Sequence, residues 1–395
     1  MVQKSIKIVE KKIRVCNIDE EGRFGGPENR IVQIAKAIND SDEFIENYVI
    51  FPSYDSKRFA HKLSIAHVQN SPMNITRLSK ERNILIRYIF RFIPEVILLF
   101  LFFRKEKFDL VQVNGSQQFK GAIASKLAGI PLIWLLEDAM MSSIVKRICT
   151  FLARFTASGI IVVGKKVYDY YIKGTSLEKK QIIEIHPPVN TILFDKKSVQ
   201  LDENLEKFQG TKIVTVSGIN PTKGLEYFIE MASELVMLYD NLYFFIAAPN
   251  FKSQEEYFKN LMGIIKSSNL TDDNLKFLGM IDNIPSFLKS GDIFVYTSIS
   301  ESGPMAVWEA MAMGKAIVTS DVGSVSNYLV DGESGFIVPP QNSDALIEKV
   351  DLLINDKALR EQMSAKVRSI VTKRLDVSIA AKKYANFYRK ILSIT

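Results

Sequence analysis

The chain has 395 residues, which is more than one hydrophobic core usually organises, so we expect two domains. Its hydrophobic content of 47% and charged content of 24% are typical of a globular protein, and its two cysteines and three scattered histidines exclude a disulfide framework and a zinc site. The net charge of +7 is uneven: residues 1–200 carry 31 basic and 20 acidic side chains, or +11, whereas residues 201–395 carry 20 and 24, or −4.

The charge asymmetry and the cysteines indicate where the protein acts. A basic first half predicts an anionic partner, which is a membrane surface, a phosphorylated acceptor or nucleic acid, although surface charge without any function explains it equally well. Cys16 and Cys149 lie in apolar surroundings, which fits a reducing compartment. No apolar stretch of a secretory signal follows Met1, so we expect a cytoplasmic protein.

Short apolar runs alternate with longer helical patterns through the first half of the chain. This alternation is typical of a parallel sheet that is covered by helices on both faces, and a run such as GIIVV suits a strand that is buried on both faces. The predicted strands are 12–18, 48–51, 109–114, 131–136, 159–163 and 181–185.

One stretch, NILIRYIFRFIPEVILLFLFFRKEKF (83–108), departs from this pattern because it is apolar over most of its length with basic residues at its edges. Three alternatives stay open: a buried helix that packs on the sheet, an interfacial helix that lies on a bilayer, and a transmembrane helix. The uncharged parts around Pro94 and Glu95 are shorter than the ~20 residues that a spanning helix needs. The basic first half favours the interfacial alternative, which predicts a peripheral membrane contact. Aromatic and basic residues are not interleaved outside this stretch, so we expect no binding of nucleic acid.

The alternation of strands and helices restarts after residues 186–210, which are rich in charge and proline and are interpreted as an interdomain linker. The sequence therefore predicts two doubly wound α/β domains. Ligands of such sheets bind outside the carboxyl ends of the strands, so the cleft between the domains is the expected active site. The predicted strands of the second domain are 212–217, 243–248, 275–279, 292–297, 315–320 and 334–338.

Two helix starts in the second half are candidates for binding an anion. In residues 299–320 a helix is predicted to begin near Pro304, where proline fits the first turn, and the next amides would point at an anion. Glu301 and Glu309 are separated by eight positions in this stretch, and a carboxylate can accept hydrogen bonds from the vicinal hydroxyls of a ribose or hexose. The alternative is that Glu301 only interacts with the helix dipole and that Glu309 is only a solvated helix residue. Lys223 lies at the start of the second helix, where its ammonium group could reach a phosphate. The alternative is an ordinary exposed lysine in a turn.

The second half resembles the nucleotide-binding domain of the retaining GT-B glycosyltransferases of family four, the glycogen-synthase-like group 1 enzymes. The resemblance rests on NPTKGLEYFIEMASEL, LKFLG and the long stretch from DIFVYTSISESGPMAVWEAMAMGKAIVTS to SGFIVPPQNSDAL. The first half matches more weakly through RFGGPENRI and FDLVQVNGSQQFKGAIASKLAGIPLIWLLEDAM. The resemblance implies two Rossmann-like domains that face a central cleft. The N-terminal domain would cover residues 1–195 and bind the acceptor, the nucleotide-sugar domain would cover 196–375, and a helix in 376–395 would cross back to the N-terminal domain.

The resemblance also implies roles for residues of the donor site. Glu309 would bind the ribose hydroxyls, Glu301 would hold the donor sugar near the transferring carbon, and Lys223 would neutralise the leaving diphosphate. The donor would also contact the stretch Ser302, Gly303, Pro304, Met305 and Ala306. From Gly303 to Ala306, the backbone N–H groups of the residues other than proline would be offered to the diphosphate or sugar. The family commonly has an arginine where this chain has Gly218, so the diphosphate loses one cation.

In the first domain the resemblance implies an acceptor side. Gly25 and Gly26 would let the backbone approach the substrates closely, but a helix-capping turn explains them better when they are taken alone. The family often has a histidine–aspartate pair where this chain has Glu137 and Asp138. Glu137 would then bind acceptor hydroxyls, and Asn114 is a lesser cleft residue that a capping role also explains.

The activity that the resemblance implies is transfer of a hexose from a nucleotide-diphosphate sugar to a saccharide or lipid-linked acceptor with retention of configuration. No cofactor and no metal are expected, because GT-B enzymes usually bind their donor without one and the Asp40–Ser41–Asp42 motif is interpreted as a solvated turn. A sugar-nucleotide epimerase is one alternative. Another is a non-catalytic GT-B protein that binds a nucleotide sugar or organises a glycosylation complex.

Overall fold

The computed structural model describes residues 12–79, 81–249 and 254–393, which form two compact units. The first unit ends at His186 and includes the chain from Val377 onward, and the second runs from Pro187 to Asp376. The sequence analysis places the first boundary after residue 195. The structure has it earlier because residues 187–210 are not a free linker: Val189, Phe194 and Leu205 are buried in the core of the second unit.

The described part of the first unit contains a seven-stranded sheet in which all strand pairs are parallel. The strand order is β3-β2-β1-β4-β5-β6-β7. The strands are β1 Ile13–Ile18, β2 Ile45–Pro52, β3 Gln69–Met73, β4 Leu110–Asn114, β5 Leu132–Leu136, β6 Gly159–Val162 and β7 Gln181–Glu184.

Seven helices of this unit are described. They are α1 Gly26–Ser41, α2 Lys57–Ile65, α3 Arg82–Glu106, α4 Phe119–Ala128, α5 Ser143–Thr156, α6 Lys165–Tyr171 and, at the end of the chain, α13 Val377–Ile391. α13 packs on α1. It is tied to the sheet by the Tyr388 hydroxyl, which donates to Gln112 Oε1 over 2.9 Å, and Arg389 pairs with Asp42 at the end of α1.

The second unit contains a six-stranded parallel sheet in its described residues, with the order β10-β9-β8-β11-β12-β13. Its strands are β8 Thr211–Val216, β9 Leu242–Ala247, β10 Leu275–Phe277, β11 Ile293–Tyr296, β12 Ala316–Ser320 and β13 Phe336–Val338. Its helices are α7 Leu225–Leu235, α8 Glu255–Lys266, α9 Ile284–Ser290, α10 Met305–Ala312, α11 Ser343–Asn355 and α12 Lys357–Arg374.

All twelve predicted strands are confirmed, and the sequence analysis missed β3. The missed strand has the sequence QNSPM and lies at the edge of the sheet, where it pairs with β2 alone. An edge strand can contain polar residues and a proline such as Pro72, because one of its sides has no neighbouring strand. The apolar runs by which the other strands were predicted are therefore missing from it.

The apolar stretch 83–108 forms one helix, α3, which buries a single face. Tyr88, Glu95, Val96, Leu99 and Phe103 are buried, and Val96, Leu99 and Phe103 belong to the core of the first unit. The buried-helix alternative is therefore correct for this face. Within the described ranges, no helix combines the length and the hydropathy that crossing a membrane requires.

Candidate active site

The donor-site candidates lie at the carboxyl edge of the second sheet, where the strand order reverses between β8 and β11. Lys223 follows β8, and Glu301 follows the neighbouring strand β11. Such a reversal is the place where open α/β sheets bind ligands, because the helices after the two strands lie on opposite faces and leave a crevice. The structure thus brings together two residues that are separated by 78 positions.

Lys223, Glu301 and Tyr296 form one hydrogen-bonded cluster. The Lys223 ammonium pairs with Glu301 Oε1, and the Tyr296 hydroxyl donates to the same oxygen over 2.6 Å. Burial, together with the neighbouring Glu301 carboxylate, raises the pKa of Tyr296, so its hydroxyl stays protonated and remains a donor. Ser298 Oγ lies 3.3 Å from Glu301 Oε1 as a further donor. The cluster fixes the directions of one cation and one carboxylate at the sheet edge.

The loop that carries Lys223 is held in place by the chain after β11. Asn220 Oδ1 accepts the Thr222 N–H over 2.9 Å, and the Ile299 N–H donates to the Thr222 carbonyl over 2.8 Å. Gly224 has φ +59°, and a Cβ there would lie 2.4 Å from the Thr297 carbonyl oxygen. The KG sequence therefore needs its glycine for two reasons, the left-handed backbone and the close approach of the neighbouring loop.

The loop before α10 is closely packed and leaves two amides available. A Cβ on Gly303 would lie 2.6 Å from Pro187 Cγ, so glycine is required there, and Ser302 lies against the tight turn at Gly323. Pro304 has a non-helical ψ of 87° and is the N-cap, one residue earlier than the predicted place in the first turn. Its carbonyl accepts the N–H of Val307 over 3.0 Å, whereas the amides of Met305 and Ala306 have no acceptor among the described backbone contacts. These two amides are available to an anion.

Glu309 lies one turn inside α10 and is partly buried. Its carboxylate makes no hydrogen bond and no ion pair with the described residues. Burial without a compensating partner raises the pKa of Glu309 to about 8. A half-buried carboxyl group of this kind needs a ligand or water to satisfy its oxygens, so Glu309 is free to bind a ligand.

Gly218 follows β8 and faces open space. A Cβ on this residue would meet no atom within 4 Å, and its φ is outside the left-handed region. The fold therefore has room for a longer side chain where the family commonly has arginine. The surrounding structure does not require glycine at this position.

In the first unit, Gly25 and Gly26 lie where β1 is followed by α1. Gly25 is the N-cap of α1, and its N–H donates to Glu28 Oε2 over 2.7 Å. The Asn29 N–H donates to the Gly25 carbonyl over 3.0 Å. The helix-capping turn is therefore present, and Glu28 acts as the acidic residue of the capping arrangement.

Asn114 ends β4, Glu137 and Asp138 follow the neighbouring strand β5, and each of the three already has a partner. Asn114 is buried, and its Nδ2 donates to the Ile18 carbonyl over 3.0 Å, which ties β4 to β1. Glu137 Oε1 lies 2.6 Å from Arg30 Nη2 in a buried ion pair. Asp138 Oδ1 accepts the Met140 N–H over 3.1 Å, and burial raises the pKa of Asp138. The structure thus gives all three residues a role in packing or pairing.

Arg30 is the cation for more than one acid. In addition to burial, the negative charge of Glu137 raises the pKa of both Asp19 and Glu28. The positive charge of Arg30 offsets only part of the increase at Asp19. Burial and the two other carboxylates raise the pKa of Asp19 well above its ordinary value, and burial raises the pKa of Glu28 to about 7. Because one guanidinium cannot balance three acids, the carboxyl groups of Asp19 and Glu28 hold their protons more tightly than usual.

The Asp40–Ser41–Asp42 motif ends α1, and both aspartates are paired. Asp40 Oδ2 lies 2.7 Å from Lys36 Nζ, and Asp42 pairs with Arg389. In the part of the chain that the structure describes, no three His, Cys, Asp or Glu side chains lie close enough together to hold a metal ion.

The comparisons with known proteins decide the family. Residues 197–370 match the model of the family described as glycosyl transferases group 1. This part of the chain is a group 1 glycosyl transferase domain. The residues matched include Lys223, Glu301 and Glu309, and the predicted resemblance to the group 1 enzymes is confirmed.

Relatives of the group 1 domain extend the match over most of the chain. The alpha-D-kanosaminyltransferase of Streptomyces kanamyceticus is 23% identical over 70% of this chain and 75% of its own length. The UDP-Gal:alpha-D-GlcNAc-diphosphoundecaprenol alpha-1,3-galactosyltransferase of Escherichia coli is 26% identical over 74% of this chain and 78% of its own. These relatives, together with the family model, indicate that the chain is a glycosyltransferase.

A solved structure confirms the predicted fold. HepE of Anabaena, crystallised in complex with UDP and glucose, has a TM-score of 0.81 at 21% identity, and the match covers 96% of this chain and 100% of that one. At this identity the likeness shows the fold alone. It confirms the GT-B prediction of two Rossmann-like domains.

Sequence reasoning missed the residues that position the candidates. Tyr296 is the last residue of β11, and its place at a strand end next to Glu301 was the available signal. No signal pointed to Arg30, because it lies on α1 and its partner Glu137 follows β5, 107 positions later. Their meeting follows from the neighbouring positions of β1, β4 and β5 in the sheet.

Replacing Arg30 by alanine is expected to lower the free energy of unfolding of the first unit by about 3–5 kcal/mol, because it leaves Glu137 buried beside two further acids without a cation. Denaturant unfolding monitored by a fluorescence or circular dichroism signal of the first unit measures this change. The double variant Arg30→Met, Glu137→Met should recover most of the loss. A single variant as stable as the wild type would show that the pair does not stabilise the unit.

Proposed function

We propose that the protein transfers a hexose from a nucleotide-diphosphate sugar to a saccharide or lipid-linked acceptor, with retention of configuration at the anomeric carbon. The observation that carries this proposal is the arrangement of Lys223, Glu301 and the unpartnered Glu309 around the point where the second sheet reverses its strand order. A nucleoside diphosphate offers a diol to one end of this arrangement and phosphates to the other.

The chemistry of each donor-site group matches one part of a nucleotide sugar. Glu309 is a carboxyl group without a partner and suits the ribose hydroxyls. The amides of Met305 and Ala306 and the ammonium of Lys223 supply positive charge to the diphosphate, so no metal needs to be bound with the donor. Glu301, fixed by Tyr296 and Lys223, suits the hydroxyls of the donor sugar.

Retention follows if the acceptor attacks from the side of the leaving group. The bond between the anomeric carbon and the diphosphate oxygen breaks, and the acceptor oxygen bonds to the same face of that carbon. The proton of the acceptor hydroxyl passes to the departing phosphate oxygen, and Lys223 stabilises the negative charge that develops there. No side chain needs to act as a nucleophile.

The acceptor class is proposed from the relatives and from the first unit. The relative from Escherichia coli is named for a diphosphoundecaprenol-linked saccharide, and the Streptomyces relative for transfer of kanosamine. We propose a saccharide or lipid-linked acceptor in polysaccharide or glycoconjugate biosynthesis. The basic first half and helix α3 support a place at the cytoplasmic face of a membrane, with a peripheral contact through residues 83–108.

A screen of UDP-, GDP- and ADP-sugars by thermal shift and by slow hydrolysis tests the proposal. One nucleotide sugar should raise the unfolding midpoint of the wild type, and Glu309→Ala should abolish that rise without lowering the midpoint of the unliganded protein. Hydrolysis of the same donor would show catalysis. If a nucleotide sugar binds but is never hydrolysed or transferred, the alternative of a non-catalytic binding protein replaces the proposal, and if none binds to the folded protein, the donor site is wrongly assigned.

A further inference from the structure

Helix α3 buries a charged pair next to the core residues Val96, Leu99 and Phe103 and leaves large apolar residues exposed on its outer side. On the buried side, Glu95 Oε2 lies 2.8 Å from the Nζ of Lys120 on α4, and both side chains are only 2% exposed. The same Glu95 oxygen accepts the N–H of Thr76 over 2.9 Å. On the outer side, eight large apolar residues are at least 36% exposed: Leu85, Ile86, Ile89, Phe90, Ile93, Ile97, Leu98 and Leu101. An ordinary surface helix has mainly charged and polar residues on its exposed side instead.

Helix α5 also has large apolar residues on its exposed side. Cys149 and Ala153 are buried, whereas Ile144, Ile148, Phe151 and Phe155 are exposed by 71%, 41%, 63% and 54%. The exposed residues recur at intervals of three or four positions, so they form one stripe along the helix. The rings of Phe151 and Phe155 contact each other at 5.1 Å between centroids.

The two stripes belong to one layer, because α4 packs against both α3 and α5. Leu127 of α4 is 64% exposed between them. We call the outer faces of these three helices the α3–α5 surface. Many large apolar residues exposed on adjacent packed helices indicate a binding surface for an apolar partner.

The charges on the α3–α5 surface determine the kind of partner. The three helices contain five, two and three basic residues, respectively, and only two acids, Glu95 and Glu106. Both acids are occupied, Glu95 by Lys120 and Glu106 by Arg14. Arg87, Arg104, Arg147 and Arg154 are exposed beside the apolar stripes. The partner must therefore be apolar in its interior and negatively charged at its boundary.

We propose that the α3–α5 surface docks as a unit on an anionic lipid bilayer, with α5 inserting alongside α3. Phenylalanine and isoleucine side chains would enter the acyl boundary, and the arginines would contact lipid phosphates. A second copy of the chain fits less well, because a two-fold contact brings the same patch against itself and places arginines opposite arginines without acids between them. The inference deepens the proposed function and rests on it for the lipid-linked acceptor that such a contact would bring within reach.

Flotation with vesicles of phosphatidylcholine, with and without phosphatidylglycerol, tests the proposal. The wild type should float only with the anionic vesicles. Phe151→Ser with Phe155→Ser on α5, and Phe90→Ser with Ile93→Ser on α3, should each lower the partition coefficient roughly tenfold or more. Arg147→Gln with Arg154→Gln should weaken binding to the anionic vesicles. Added salt should weaken the binding of the wild type in the same way, because it screens the arginines from the lipid phosphates.

The matched control removes two equally exposed apolar residues elsewhere. Met237 and Leu238 lie in the second unit and are 66% and 64% exposed. The double variant Met237→Ser, Leu238→Ser should float as the wild type does. Thermal unfolding midpoints confirm that each variant is folded. The proposal is overturned if the wild type ignores anionic vesicles, if the α5 variant floats normally, or if the same variants instead abolish a concentration-dependent dimer. Sugar-nucleotide binding is measured on the same samples, so a failed donor site is recognised separately from a failed membrane contact.

Discussion

Replacing Lys223 by alanine is expected to lower kcat of sugar transfer by about two to three orders of magnitude, with a smaller change in KM for the donor. The ammonium group is fixed by Glu301 and lies 3.5 Å from the Tyr296 hydroxyl, at the sheet edge where the diphosphate is proposed to bind. Negative charge on the departing phosphate grows in the transition state, so a cation placed there stabilises the transition state more than the bound donor. Steady-state kinetics with the donor from the nucleotide-sugar screen measures the effect.

Lys259→Ala is the control, because Lys259 is 71% exposed on α8 and forms a surface ion pair with Glu255. It should leave kcat unchanged. The open space at Gly218 allows a second test, since Gly218→Arg in the Lys223→Ala background can bring a guanidinium toward the diphosphate. Partial recovery of kcat supports the charge role of Lys223. Full activity of Lys223→Ala alone would mean that the diphosphate is neutralised elsewhere.

The sequence predicts the two sheets well because buried parallel strands are short apolar runs, and this signal is local. β3 lacks it because an edge strand needs only one paired side, and its polar residues were not recognised as a strand. The donor site follows the same rule: Glu301, Glu309 and Lys223 are in local motifs and were predicted. Tyr296 and Arg30 act through partners that only the folded chain brings close, so local patterns did not assign them.

Helix α3 is apolar on its buried side and on its exposed side, which is why composition alone leaves its interpretation open. Its mean hydropathy fits a buried helix and a membrane-bound helix equally well. The buried pair of Glu95 and Lys120 resolves which side faces the protein, because a charged pair is tolerated inside only when both partners are present. The apolar stripe of α3 is then left on the outer side. Helix α5, which packs against α4 as α3 does, also exposes an apolar stripe.

The affinity for the sugar nucleotide that the screen identifies is expected to rise about tenfold per pH unit between roughly pH 6 and pH 8 and to level off above that. The unliganded protein holds a proton on Glu309, because burial raises the pKa of this carboxyl to about 8. The ribose hydroxyls need the ionised carboxylate as their acceptor, so each binding event releases one proton. A sugar nucleotide is the suitable probe because its diphosphate has no group that titrates in this range.

Glu309→Gln is the variant that isolates this effect, since an amide accepts a hydrogen bond but does not titrate. Its affinity should be weaker than that of the wild type at pH 8 and should not change between pH 6 and pH 8. The same pKa gives the opposite trend for the unliganded fold: the stabilisation from the protonated carboxyl is complete below the ordinary pKa of 4.5 and is lost as the pH rises through about 8. Calorimetric titrations in buffers of different ionisation enthalpy count the proton directly. Binding that is independent of pH in the wild type, with no proton released, would show that Glu309 does not hold the ribose.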